Sequence, residues 1–219
     1  IHSYLPGLIA SHCSESEVKK FIHVSAIGAN ANSESDYQKS KFAGEQKALN
    51  NFKNTVIIRP SVVCGTEDNF TNLFAKLSVA PIIPVVKTGY NFQPILVNDV
   101  ATAIVKAIEV KKNEGKIYEI GGPKVISFGD MIKSILNIIK KKRFVIDLPM
   151  PLAKIQASLF SLMPKPLLTR DQCKILNEAD NIVSGDQLTL EDLNIKPDDV
   201  EQAMSKWLWR FRDGGEFAK

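Results

Sequence analysis

The chain has 219 residues, 44% hydrophobic and 24% charged, with a formal net charge of +4. That length suits one large domain or one and a half, and that balance is ordinary for a globular protein and excludes a disordered one. The lysines are scattered without a nucleic-acid reader motif, no apolar run approaches the roughly 20 residues of a spanning helix, and Cys13, Cys64 and Cys173 match no metal spacing.

Residues 2–19 place Leu5, Leu8, Ile9 and Cys13 on one helix face, with Pro6 tolerated in the first turn. Residues 20–25 read as a buried strand in which the run Phe21-Ile22-His23-Val24 ends at Ser25, and His23 reads as a sheet residue. Residues 26–34, rich in Gly, Ala, Asn and Ser, form a loop. Ser35 with Gln38 makes a capping box, so a helix runs from there to about Asn51. Tyr37 and Lys41 stand four apart in it, which puts phenol and ammonium on one helix face. With Ser25 presented from a neighbouring strand end, that pair is the arrangement needed for proton transfer beside a nicotinamide. The ammonium favours the phenolate and can pull the tyrosine below its free value of about 10. A Tyr-x-x-x-Lys match by itself is weak, and a chance pair on a solvated helix face is the competing reading.

Residues 55–59 form a second strand, stopped by Pro60. A residue just beyond a parallel strand's carboxyl end lines the ligand crevice of an open sheet. Arg59, Pro60, Ser61 and Val62 are therefore candidates for the nicotinamide side of a pocket, beside Val24, Ser25, Tyr37 and Lys41. Asp68 or Asn69 caps a helix over 70–77, and residues 80–97, with Pro81, Pro84 and Pro94, read as short extended pieces over the mouth of a cleft. Asn98-Asp99 caps an amphipathic helix, and residues 115–122 form a short strand ending at Gly121-Gly122.

Ser127 caps a helix that ends in Lys140-Lys141-Lys142-Arg143, cations that suit a helix carboxyl end and, secondarily, an anionic surface partner. Residues 144–148 read as a strand. The prolines from Pro149 to Pro166 bracket an apolar helix too short to span a bilayer, which is either core or a face for a partner or membrane. A short helix over 169–176, an extended link over 179–184, a turn over 188–193 and a last helix from Pro197 complete the chain. Near its end stand Trp207, Trp209 and Phe211, and docking of one tryptophan onto the domain is the default reading.

The segments FIHVSAIGA, YQKSKFAGE, VIIRPSVVCGTEDNF, FQPILVNDVATAI, YEIGGP and TRDQCKILNEADNIVS resemble, in that order, the atypical short-chain dehydrogenase/reductase family. Within it they are most similar to the group of the respiratory complex I accessory subunit and its bacterial homologues. The resemblance runs from about Lys20 to the end. Its early motifs are shared with many nucleotide-sugar epimerases, and the TRDQ and DN segments are more specific to the complex I group.

The resemblance implies a Rossmann domain that binds NADP or NAD, with Ser25, Tyr37 and Lys41 at the catalytic positions and residues 60–62 beside the nicotinamide. It implies respiratory complex I subunits, or a missing amino-terminal part, as partners, with peripheral membrane contact and a location in the cytoplasm at the inner face of a bacterial inner membrane. In the mitochondrial member of the group the nucleotide is structural. An active NAD(P)-dependent reductase or epimerase, and a truncated chain that binds no nucleotide, are the alternatives. The chain begins at Ile1 and holds no glycine-rich phosphate loop, so it reads as the carboxy-terminal part of a longer protein. The expected fold is therefore α/β, a partial Rossmann-like parallel sheet with helices on both faces over residues 1–125, and a smaller, mostly helical lobe over 126–219. Such a half-sheet is expected to expose a strand edge and to be poorly stable without another chain.

Overall fold

The structure is a computed structural model that describes residues 1–160 and 166–217. Helix α1 (Tyr4–Ser14) leads into strand β1 (Phe21–Val24), helix α2 (Asp36–Asn51) and strand β2 (Thr55–Pro60). There follow β3 (Val63–Cys64), α3 (Thr71–Leu77), β4 (Ile82–Val86), β5 (Asn91–Phe92), β6 (Ile95–Leu96), α4 (Val97–Glu109) and β7 (Ile117–Ile120). The remaining elements are β8 (Ile126–Ser127), α5 (Phe128–Ile138), β9 (Phe144–Leu148), α6 (Met150–Phe160), α7 (Arg170–Asn177) and α8 (Val200–Leu208), with single 3-10 turns at Glu191–Leu193 and Trp209–Phe211.

The base of the fold is a parallel sheet in the order β1-β2-β7. The period of two in β2 assigns its faces. Val56 and Ile58 meet Ala103 and Ala107 of α4, together with Tyr118 and Ile120 of β7. Thr55 and Arg59 turn the other way: the Thr55 hydroxyl donates to the Ala48 carbonyl, and the Arg59 guanidinium reaches Glu45, both on α2. Helices thus cover both faces, as in a Rossmann-like α/β fold. Among the described residues β1 has one strand neighbour, β2, and Val24 at its end is 38% exposed. α1 packs tightly along α2, where Gly44 is required because a Cβ would overlap the His2 carbonyl oxygen.

A second core gathers α3, β4, α5 and α8 around Met131, Ile132, Ile135, Met204 and Trp207. It draws on residues from both sides of position 126. Trp207 docks into it, its indole N–H donating to the Thr71 hydroxyl at 3.2 Å, while Trp209 stays 53% exposed. Between the cores the rings of Phe70, Phe74, Tyr90, Phe92 and Phe128 contact one another at centroid distances of 5.2–5.5 Å. Below them lies a third cluster, made with Ala153, Ala157, Cys173 and Leu176.

Several elements differ from the sequence expectation. The short extended pieces expected over 80–97 are β4, β5 and β6; the sequence did not show that β4 pairs in parallel with β9, about sixty residues on. Helix α4 begins at Val97 after an uncapped Leu96, and Asp99 falls inside its first turn, accepting the Asp198 backbone N–H at 3.1 Å. Asp68 does serve α3, accepting from both the backbone and hydroxyl of Thr71. The last helix starts at Val200, three residues past Pro197, with Asp199 as its cap. The expected apolar helix at 152–163 runs partly outside the described residues.

Candidate functional site

The carboxyl ends of β1, β2 and β7 and the amino end of α2 meet at one edge of the sheet. Ser35 caps α2, its hydroxyl accepting the Gln38 N–H. From the first two turns Lys41 reaches back to β1 and donates to the Val24 carbonyl at 3.2 Å, a backbone group at the unpaired edge of that strand. The same ammonium lies 5.9 Å from the centre of the Tyr37 ring. His2 meets that ring edge-on at 5.6 Å between centroids. Val24, Tyr37 and Lys41 therefore form one contact group, and Ser25 follows Val24 directly.

Ser25 is 4% exposed, and its Oγ is buried with no hydrogen-bond partner among the described residues. An unpaired buried hydroxyl costs free energy, so a group supplied from outside the chain fits here. The electrostatics run against the expected activation of the tyrosine. Burial raises the Tyr37 pKa above its usual value, and burial lowers that of Lys41 against the opposing pull of Glu45. Tyr37 is therefore a neutral phenol at ordinary pH. The direction is opposite to the expected depression, and burial is its cause; the Lys41 ammonium donates to the Val24 carbonyl and lies over the Tyr37 ring. His23, one position back, is pushed down to about 4 by burial, by the Lys41 charge and by His2.

The other four predicted residues belong to a second group. Arg59 is held between two carboxylates: Glu45 of α2, itself fully buried, at 2.7 Å and Glu119 of β7 at 3.3 Å. Burial works against its charge, but these partners raise its pKa. Its side chain is committed to holding α2 on the sheet. Pro60 accepts the Ile27 N–H through its carbonyl, and Val62 likewise accepts from Ile95, so both act through backbone. The Ser61 hydroxyl donates to the Asn181 side-chain oxygen at 2.7 Å and receives the Gln93 N–H at 3.2 Å.

Asn181 belongs to a segment, residues 169–184, that sequence reading had not placed in the site. Asp171 accepts the Ser35 hydroxyl at 2.7 Å and the backbone N–H groups of Asp36 and Tyr37 at 2.8 and 3.2 Å. Burial opposes its ionisation, yet these donors hold Asp171 below the usual carboxylate range. Glu178 accepts the Ser33 hydroxyl and the Glu34 N–H. Asp180 accepts the backbone and side-chain N–H groups of Asn91. Three carboxylates and one amide thus fasten the segment across the ends of β1 and β2 and onto β5. What remains beneath is a cavity of about 220 Å³ lined by Ile27, Gly28, Arg59, Tyr90, Glu119 and Asn181 among others. Ser25, Tyr37 and Lys41 do not line this cavity. Only the acidic and amide character of TRDQCKILNEADN signalled this role, since its partners lie more than 80 positions away.

The model of the RmlD substrate binding domain matches residues 27–171. The chain belongs to this family. It is 32% identical over 211 residues to the NADH dehydrogenase [ubiquinone] 1 alpha subcomplex subunit 9 of mouse mitochondria, covering 95% of this chain and 56% of that protein. The chain therefore spans little more than half the length of this curated relative. Among solved structures it superposes on a dTDP-4-dehydrorhamnose reductase from Clostridium acetobutylicum with a TM-score of 0.68 at 16% identity, covering 95% of this chain and 71% of that one. It also superposes on a dTDP-4-dehydrorhamnose reductase from Bacillus anthracis in complex with NADP, with a TM-score of 0.67 at 18% identity, over 94% and 71%. These two likenesses carry the fold alone, a Rossmann-like parallel sheet flanked by helices. Among the described residues no helix is long and apolar enough to cross a membrane.

Proposed function

We propose that the chain forms the nicotinamide end of an NADP or NAD site, and that the dinucleotide is held as part of an assembly of complex I type rather than turned over. The observation that carries this reading is the fastening of residues 169–184 across the strand ends, where a substrate would have to enter. Four separate polar anchors hold that segment in place, over a small cavity that Arg59, Glu119 and Asn181 help to line.

Lys41, anchored on Val24, has further ammonium protons to offer ribose hydroxyls. Ser25 has an unpaired hydroxyl beside it. Tyr37, kept neutral by burial, donates a hydrogen bond rather than abstracting a proton. The backbone of Pro60, Ser61 and Val62 forms the neighbouring wall, and Arg59 fixes α2 against it. When reduced, the dinucleotide would supply a hydride. The preserved Tyr37–Lys41 contact favours a second reading, a reductase or epimerase in which Tyr37 gives or takes the proton at a carbonyl carbon.

Fluorescence titration with NADPH and NADH of the wild type and Lys41→Ala tests the first reading. Saturable binding lost in Lys41→Ala supports it, and equal affinity in the two proteins removes Lys41 from the site.

A further inference from the structure

We propose, on the reading of the dinucleotide site given above, that Asp171 is a positioning residue for that site and sets its affinity through the first turn of α2. The first N–H groups of a helix have no partner within it. In α2 the Ser35 hydroxyl takes the Gln38 N–H at 3.3 Å and leaves those of Asp36 and Tyr37. Asp171 accepts both, at 2.8 and 3.2 Å, and accepts the Ser35 hydroxyl at 2.7 Å. One carboxylate from a distant segment thus holds the cap and the two residues after it. Tyr37 is the second residue of α2 and Lys41 the sixth, so the turn that Asp171 fixes presents the phenol and leads into the one that presents the ammonium.

Asp171 is itself held in place. A capping box starts α7: the Thr169 hydroxyl accepts the Gln172 N–H at 3.1 Å, and the Gln172 side chain accepts the Thr169 N–H at 2.9 Å. Asp171 stands in that first turn, so the amino ends of α2 and α7 meet with one carboxylate between them. Both helix dipoles favour its charge. At the other end of α7 the Lys87 ammonium donates to the Leu176 carbonyl at 2.7 Å, and between the two ends Cys173 is buried against Ala153 and Ala157 of α6. The helix that supplies Asp171 is therefore pinned at both ends and along one side.

The ligand depends on this register. Lys41 gives one ammonium proton to the Val24 carbonyl at 3.2 Å, and its remaining protons can meet ribose hydroxyls only while α2 keeps its place along β1. A first turn left with two unpaired N–H groups frays, and Tyr37 lies within it. Asp171 acts through the backbone of α2 and through Ser35, and touches neither ligand nor reacting atoms.

The test is fluorescence titration with NADPH and NADH of the wild type, Asp171→Ala and Asp199→Ala. Asp199 caps α8 by accepting the Glu201 and Gln202 N–H groups, so its loss removes a helix cap of the same kind away from α2. Asp171→Ala should bind about tenfold more weakly than the wild type, and Asp199→Ala equally well. Difference ultraviolet titration should show Tyr37 ionising closer to the usual tyrosine range in Asp171→Ala alone, because loosening its turn undoes the burial that raises it. Circular dichroism confirms that each variant is folded. Where Asp171→Ala does not fold, Asp171→Asn, which keeps one acceptor oxygen, should show both changes to a smaller degree. Wild-type affinity in the folded Asp171 variant, or an equal loss in Asp199→Ala, overturns the positioning role and leaves the dinucleotide reading standing. A wild type that binds neither nucleotide overturns that reading and the positioning role with it.

Discussion

The Asp171 carboxylate accepts the backbone N–H of Tyr37, 134 positions earlier in the chain, at 3.2 Å. With its bonds to Asp36 and Ser35, this makes Asp171 a second cap on the helix that presents the tyrosine and lysine. An ionised group at a helix amino terminus is favoured by the free N–H groups and by the helix dipole. The segment at 169–184 is thereby joined to the amino end of α2.

Asp171→Ala should therefore destabilise the protein by about 1–2 kcal/mol, the usual worth of a lost cap. Because the aspartate is held ionised below the usual carboxylate range, its contribution is present at neutral pH and fades as pH falls through its folded pKa. Chemical denaturation of wild type and variant at neutral and acid pH should show a gap that narrows in acid. A constant gap would mean that packing rather than charge is lost.

Arg59→Met should cost more. The substitution leaves the carboxylates of Glu45 and Glu119 buried without their shared cation, a change typically worth about 3–5 kcal/mol. The same denaturation experiment measures it, and a loss within about 0.5 kcal/mol, typical of a surface site, would contradict the placement of this cluster in the core.

His23 gives a second pH dependence. Its folded pKa of about 4 lies below its ordinary 6.5, so the folded state favours the neutral ring and the unfolded chain takes up a proton first. Stability from this residue is complete above about pH 6.5 and falls as pH drops toward 4, by on the order of 2 kcal/mol after allowing for partial exposure. His23→Gln should flatten the acid limb of the stability curve over that window. An unchanged limb would assign the acid sensitivity elsewhere.

The fold was legible where local signals suffice. The apolar run at 21–24, the Ser35 and Ser127 caps, and the strands at 55–60 and 117–120 are each marked by neighbours within a few residues. The contact of Lys41 with the end of β1 followed from strand, loop and helix in sequence. What was not legible depends on distant partners: β4 needs β9, Ser61 needs Asn181, and the Asp171 cap needs α2. Spacing placed Lys41 on the face of Tyr37, but nothing local showed that it would donate to the Val24 carbonyl while burial raises the pKa of the phenol.

That last point is directly measurable. Difference ultraviolet titration of wild type against Tyr37→Phe should show Tyr37 ionising above the ordinary tyrosine range, since burial raises it. Ionisation below that range would favour the reductase reading, in which a phenolate is poised for proton abstraction.

The central claim, that a dinucleotide is held here and not turned over, is tested most directly by the mass and redox state of nucleotide released on denaturing the purified protein after incubation with keto and quinone compounds. The account predicts about one NADP or NAD per chain, in the redox state it had before incubation. Oxidation of the bound dinucleotide by such a compound, or release of none at all, would contradict it.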